Sequence, residues 1–156
     1  SGALTDFLED PVGSWSLADL AESPDIAQAW GATDAISTLY ANPDGAQVGM
    51  TIAAYTSAEE AYATVPVLAD SLLAGEPAPL PFAKGPLAAN FAQGGGRNRF
   101  RVIDAGDVTN QEGQVIGAYV LLRGPVELIF WSNGPFLRGA EGTNGNAIDF
   151  YANSSF

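Results

Sequence analysis

Cysteine and histidine are both missing from this chain of 156 residues. Without cysteine there is no disulfide framework, no thiolate nucleophile and no sulfur ligand for zinc or an iron–sulfur cluster. Without histidine, the usual general base near neutral pH is gone, and with it the commonest nitrogen ligand for metals. Most hydrolase, zinc and redox chemistries fall with these two absences, so the expectation leans away from an enzyme. A pair of carboxylates acting as acid and base remains conceivable, but nothing in the spacing of the 18 Asp and Glu selects one.

Basic residues are scarce. There are six Lys plus Arg, the net charge is −12 and the sequence pI is about 4.1. Phosphate backbones are gripped by Lys and Arg, so nucleic acid is not an expected partner. Long apolar runs are missing as well: no stretch approaches the ~18 residues of a spanning helix, and "SGALTDFLEDPVGSW" has neither the basic nor the apolar region of a signal peptide. No transmembrane segment is expected in the chain. Low Lys, high acidity and abundant Ala, Gly, Asn and Ser suit an exported or salt-adapted protein, so the expected location is extracytoplasmic.

A composition 47% hydrophobic supports a real core, and the length suits a single domain over residues 1–156. Charge is divided unevenly within it. Residues 1–83 contain twelve acids and no base, whereas residues 84–156 contain six of each. The whole net charge belongs to the first half, where an acidic surface serves solubility or meets a basic partner.

Residues 1–34 read as a loop and two short helices. Ser16 is placed to cap a turn from Leu17, Ser23 followed by Pro24 has the form of an N-cap with proline at the first helical position, and Gly31 is placed to end that helix. "AISTLYA" and "AQVGMTIAAY" flank "NPDG" as the arms of a hairpin. "TSAEEAYATVPVLADSLLAG" then turns to helical period, with Ser57 and Glu60 as a capping box and a kink or break expected at Pro66. Residues 75–96, with four prolines and five glycines, form one long connection that packs down through Leu80, Phe82, Leu87 and Phe91. A three-stranded antiparallel meander follows: "RNRFRVIDAG", "QVIGAYVLLR" and, after Gly124-Pro125, "VELIFWS". The last two strands are apolar on both faces, which requires a cover on each side of the sheet. Asn146 is placed to cap a short C-terminal helix. The sum is an α+β fold, a single antiparallel sheet of about five strands, hairpin plus meander, with helices packed on it.

Three of the six basic residues lie in "GGGRNRFR". On a strand, Arg97, Arg99 and Arg101 share one face at intervals of about 6.7 Å. Three uses compete for this stripe: neutralising the chain's own acids in a cross-strand row of Arg99, Leu122 and Glu127; docking to an acidic surface of a partner or another copy; and holding a small anion with help from the glycine run. The run is no phosphate loop, because it lacks the Lys-Ser/Thr pair and opens a strand instead of a helix, and no cofactor is expected. In "DAGDVTNQEG", Asp104, Asp107, Asn110 and Glu112 gather oxygen ligands of the type calcium prefers, at a spacing that matches no EF-hand; an ordinary hairpin turn is the competing reading. The aromatics Phe130, Trp131 and Phe136 form a contact surface for another subunit if their strand is at the sheet edge, and belong to the core if it is interior.

These readings favour a non-catalytic extracytoplasmic domain that works by association with another protein or a second copy. The alternatives are a binder of small anionic ligands using the arginine stripe and the 75–96 connection, and a carboxylate-based enzyme.

Overall fold

A computed structural model describes residues 2–73, 101–109, 115–123 and 126–155. Its centre is one antiparallel sheet of seven strands: β1 (Ser16–Glu22), β2 (Asp34–Ala41), β3 (Gln47–Ala54), β4 (Arg101–Thr109), β5 (Val115–Arg123), β6 (Val126–Asn133) and β7 (Phe136–Thr143). In space they run β1-β2-β3-β7-β6-β5-β4. Among the described residues four helices accompany them: α1 (Gly2–Thr5), α2 (Pro24–Ala29), α3 (Ala58–Leu73) and α4 (Asn146–Asn153). The expected α+β class holds, with the hairpin as β2–β3 and the meander as β4–β6. The sheet gains β1 at one end and β7 at its centre, between hairpin and meander.

Local chemistry explains the joints. In the β2–β3 turn the Asn42 side chain accepts from the amides of Asp44 (3.1 Å) and Ala46 (2.9 Å), and Gly45 takes a positive φ of 85°. The β6–β7 turn is two residues long, with Gly134 at φ 59° in the position that tight hairpins reserve for glycine. Ser23 and Pro24 start α2 as expected, but the Ser23 hydroxyl meets Ser37 Oγ at 2.7 Å and leaves the helix end without a side-chain cap. In α3 the Ser57 hydroxyl accepts from Glu60 N (3.1 Å), and the helix continues through Pro66, where a kink or break was expected.

Residues 16–22 form a strand, not the helical turn expected from Leu17. A bulge between Leu17 and Asp19 sets Leu17 opposite Tyr40 and Leu20 opposite Thr38, which lie on one face of β2. Two leucines three residues apart thus share a face in a strand, imitating a helical period. In the meander, Leu122 does pair with Glu127, but the β4–β5 register, with Thr109 opposite Val115, sets Arg101, not Arg99, in that row.

Both faces of the sheet are covered, as strands apolar on both sides require. On one face, Leu4, Val12 and Trp15 from the N-terminal segment join Ala147 and Phe150 of α4 over Ile36, Tyr40, Met50, Ile52, Ile129 and Trp131. On the other, Ile26, Ala27 and Trp30 at α2 join Ala61, Val65 and Ala69 of α3 over Ala35, Ala53, Leu128, Phe130 and Leu137. At roughly 1.5–3 kcal/mol for each large apolar side chain removed from water, these two layers supply the main driving force of the fold.

Candidate functional site

Arg97, Arg99, Asn110, Glu112 and the 75–96 connection lie outside the described residues. Arg101 opens β4, the strand at the far edge of the sheet. Asp104 pairs with Val120 and Asp107 with Gly117, so the two acids take register positions on opposite faces of β4. Among the described residues, no group of three or more acids is placed to hold a metal.

The aromatic expectation divides. β6 is interior, between β5 and β7, and Phe130 and Trp131 are completely buried in the chain's own two cores. Phe130 meets Trp30 edge-on at 6.2 Å, and Trp131 meets Tyr151 at 5.0 Å. A contact surface formed by these two is therefore corrected to core packing, because neighbours on both sides remove the outer row that an edge strand would present. Phe136 is half-buried at the start of β7, with the Phe7 ring 4.3 Å away and the Arg138 guanidinium 5.8 Å from its centre.

Several polar groups that sequence reasoning passed over are used internally. Glu127, buried on the α4 side of β6, accepts from Gly145 N (2.8 Å) and Ile148 N (3.1 Å), and so caps α4 from across the sheet. Glu9 Oε1 accepts from Ser154 Oγ (2.9 Å) and Ser155 N (2.7 Å), while the Trp15 indole donates to Asp149 (2.9 Å). These bonds tie the N-terminal segment to the C-terminal tail. Arg138 lies buried beneath that clasp and donates to Phe7 O at 3.4 Å; burial lowers its guanidinium to about 10, against the pull of Glu9 and Tyr40. The Tyr40 hydroxyl donates to Glu9 O (2.7 Å), and burial, with Asp10 and Glu9, holds it well above its ordinary value while Arg138 opposes the rise.

What the described surface presents outward is acid. Asp6, Asp10, Asp19, Glu22, Asp25, Asp44, Glu59, Glu60 and Asp70 are all exposed. Leu20, Tyr62 and Val67 are exposed apolar side chains among them, Val67 to 59%. On the outer side of α3, Glu59, Tyr62, Ala63, Val67 and Asp70 recur at helical spacing, so an apolar strip is bracketed by two acids.

At the start of this strip is a groove of about 300 Å³, lined by Ala58, Glu59, Tyr62, Ser132 and Gly134. Its walls come from two parts of the chain. One is the first turn of α3; the other is the end of β6 with the β6–β7 turn, held beside α3 because Tyr55 N donates to Pro135 O (2.8 Å). Ser132 is only 4% exposed. Glu60 is held at the helix start by the Thr56 hydroxyl (2.6 Å), which leaves Glu59 as the acid in the groove. No sequence signal marks this site, since its halves are about 75 residues apart in the chain.

No protein-family model matches the sequence, and no curated protein matches it. Among solved structures, the chain is similar to a GTP binding regulator from Thermotoga maritima, with 14% identity and a TM-score of 0.50 over 97% of this chain and 81% of that one. The extracellular domain of PknH from Mycobacterium tuberculosis aligns with 13% identity and a TM-score of 0.49 over 96% of this chain and 91% of that one. At such identity the likeness to the regulator concerns the fold and carries no activity across.

Proposed function

We propose that this chain is a non-catalytic extracytoplasmic domain that acts by association, presenting an acidic surface to a basic surface of another protein or of a second copy. The observation that carries the reading is the set of nine exposed acids in the base-free first half, with exposed Leu20, Tyr62 and Val67 among them. Charges of one sign steer encounter, and apolar side chains within the charged field supply the contact that holds. Arg97, Arg99 and Arg101 act as the basic counterpart in the second half of the chain and set the orientation of a partner or second copy. The extracytoplasmic location is supported by composition, chiefly the low pI, the single lysine and the abundance of Ala, Gly, Asn and Ser. Among the described residues no helix is long and apolar enough to cross a membrane.

The test is native mass spectrometry, at low and moderate salt, of the chain purified from its source extract, beside a variant with Asp19, Glu22, Glu59 and Asp70 changed to their amides. A stoichiometric complex or defined oligomer that loosens with salt and is missing from the variant is the expected result. A bare monomer under every condition, or a complex indifferent to both salt and the four substitutions, refutes the reading.

A further inference from the structure

We infer that β4 is where a second copy of this chain attaches, its outer edge pairing antiparallel with the same edge of the other copy across a two-fold axis. This rests on the association reading and names both the partner and the contact. An edge strand presents unpaired main-chain donors and acceptors, and proteins either guard such an edge or use it. The two ends of this sheet are treated differently. At β1, Asp10 and Asp19 hold the amides of Leu17 and Leu20, so that edge is occupied by the chain's own carboxylates. At the other end β4 runs from Arg101 to Thr109, and among the described residues it has one strand neighbour, β5.

Charge decides which approach is open to a second copy. Two chains of net charge −12 repel, and the repulsion is least where acids and bases balance. The strand order places β1, β2 and β3, from the base-free residues 1–83, at one end of the sheet and β6, β5 and β4, from the charge-balanced half, at the other. Along β4 itself the signs are segregated: Arg101 opens the strand, and Asp104 and Asp107 follow. A parallel neighbour would set like against like. An antiparallel copy with its two-fold axis in the stretch Val102–Asp104 sets Arg101 of each chain among the acids of the other, level with Asp104 or Asp107 according to register. The bulge between Val102 and Asp104 then falls at the axis, where each copy meets the same distortion in the other. The product is one continuous sheet with seven strands from each copy, and it closes at two copies because both remaining edges are the guarded β1 strands.

The experiment uses the purified whole chain alone. Sedimentation velocity and native mass spectrometry should find a dimer that dissociates on dilution, and the amides of residues 101–109 should gain protection from hydrogen exchange as protein concentration rises, while those of Leu17 and Leu20 do not. Arg101→Glu leaves β4 with acids alone, and Asp104→Lys with Asp107→Lys leaves it with bases alone. Each variant by itself should dimerise about tenfold more weakly, and an equal mixture of the two should recover a one-to-one heterodimer. A chain that is monomeric at every concentration, a dimer without concentration-dependent protection of β4, or a mixture that pairs no better than its components overturns the inference. A variant that fails to fold is recognised by circular dichroism, and the exchange measurement on the parent chain then decides alone. If the purified chain is monomeric while the salt-sensitive complex from the source extract still forms, pairing through β4 is refuted and the association reading stands.

Discussion

Replacing Glu127 with glutamine tests how β6 secures the C-terminal helix. The carboxylate is 4% exposed and uses both oxygens, one on Gly145 N at 2.8 Å and the other on Ile148 N at 3.1 Å. Gly145 is at the cap position of α4 with φ 86° and has no side chain to do the same work. Glutamine keeps the shape but offers one acceptor oxygen, so its NH2 group faces an amide that also donates. The lost bond and the mismatched amide cost about 1–3 kcal/mol, and the lost charge at the helix start about 0.3–1 kcal/mol more. Opposing this, a neutral side chain escapes the cost of keeping an ionised carboxylate out of water. With two amide bonds and the helix end favouring the anion, the net is expected to be a loss of about 1–3 kcal/mol. For a chain of this length that lowers Tm by roughly 2–10 °C, read by circular dichroism, with faster hydrogen exchange at Ile148 as the local signature. A Tm that rises, or one that is unchanged with Ile148 still protected, would show that desolvation dominates and that the cap contributes nothing.

Gly139→Ala should destabilise by about 1–3 kcal/mol in a urea titration, because the new Cβ falls 2.9 Å from Cε1 of the fully buried Phe130 ring and 3.6 Å from Trp30; an unchanged midpoint would show that the ring has room to move. On β1, Ser23 N donates to Ala35 O, so by antiparallel alternation the Leu20 amide points out of the sheet edge, where Asp19 Oδ1 accepts it at 2.8 Å; Asp10 Oδ1 takes the Leu17 amide at 3.1 Å. The double variant Asp10→Ala, Asp19→Ala should exchange those amides faster and self-associate with rising concentration in light scattering, and a variant that stays monomeric denies the two carboxylates a guarding role. At high pH, burial raises the Tyr55 hydroxyl to about 12 and Tyr40 further still, so both hold their protons more tightly folded than unfolded. Their stabilising contribution is complete below about 10 and is lost as pH rises through the folded values; an ultraviolet titration should show these two ionising only above the ordinary tyrosine range, and ionisation of both within that range would refute the burial argument.

The hairpin and meander were legible because their turns carry specific chemistry, such as the Asn42 side chain and Gly45 between β2 and β3, and because their apolar residues alternate in β3 and run on in short apolar stretches in β5 and β6. β1 was not, since its bulge puts Leu17 and Leu20 on one face and reproduces the spacing of a helix. β7 was hidden for a different reason. "FLRGAEGT" contains two glycines and two charged residues, yet it is a central strand with Arg138 and Glu141 both buried. Its glycines answer to neighbours and not to strand propensity: a Cβ at Gly139 would strike Phe130, and one at Gly142 would lie 2.8 Å from Ala147 N of α4. Such close approaches exist only after the sheet and helices have come together. The groove is illegible for the same reason, because its two walls meet only when the hydrogen bond from Tyr55 N to Pro135 O draws the β6–β7 turn against α3. The row expected for Arg99 failed because the β4–β5 hairpin pairs Thr109 with Val115, a register that carries Leu122 to Arg101.

The architecture limits where a partner can sit. Both faces of the sheet are occupied by the chain's own helices and N-terminal segment, and their contacts are core contacts, with Trp15, Phe130, Trp131 and Phe150 almost wholly out of water. Strand addition at β1 would require displacing two carboxylates from the amides they hold and bringing another backbone up to a bulged, acidic strand. One open place on the described surface is the outer side of α3, where apolar Tyr62 and Val67 stand between Glu59 and Asp70 and the groove opens at one end. Acids in this position are unnecessary for folding, since the buried side of α3 is made by Ala61, Val65 and Ala69. An association surface built there would be adjustable in sequence without disturbing the core, and variants of Glu59 and Val67 should therefore change binding while leaving the unfolding temperature close to that of the parent chain.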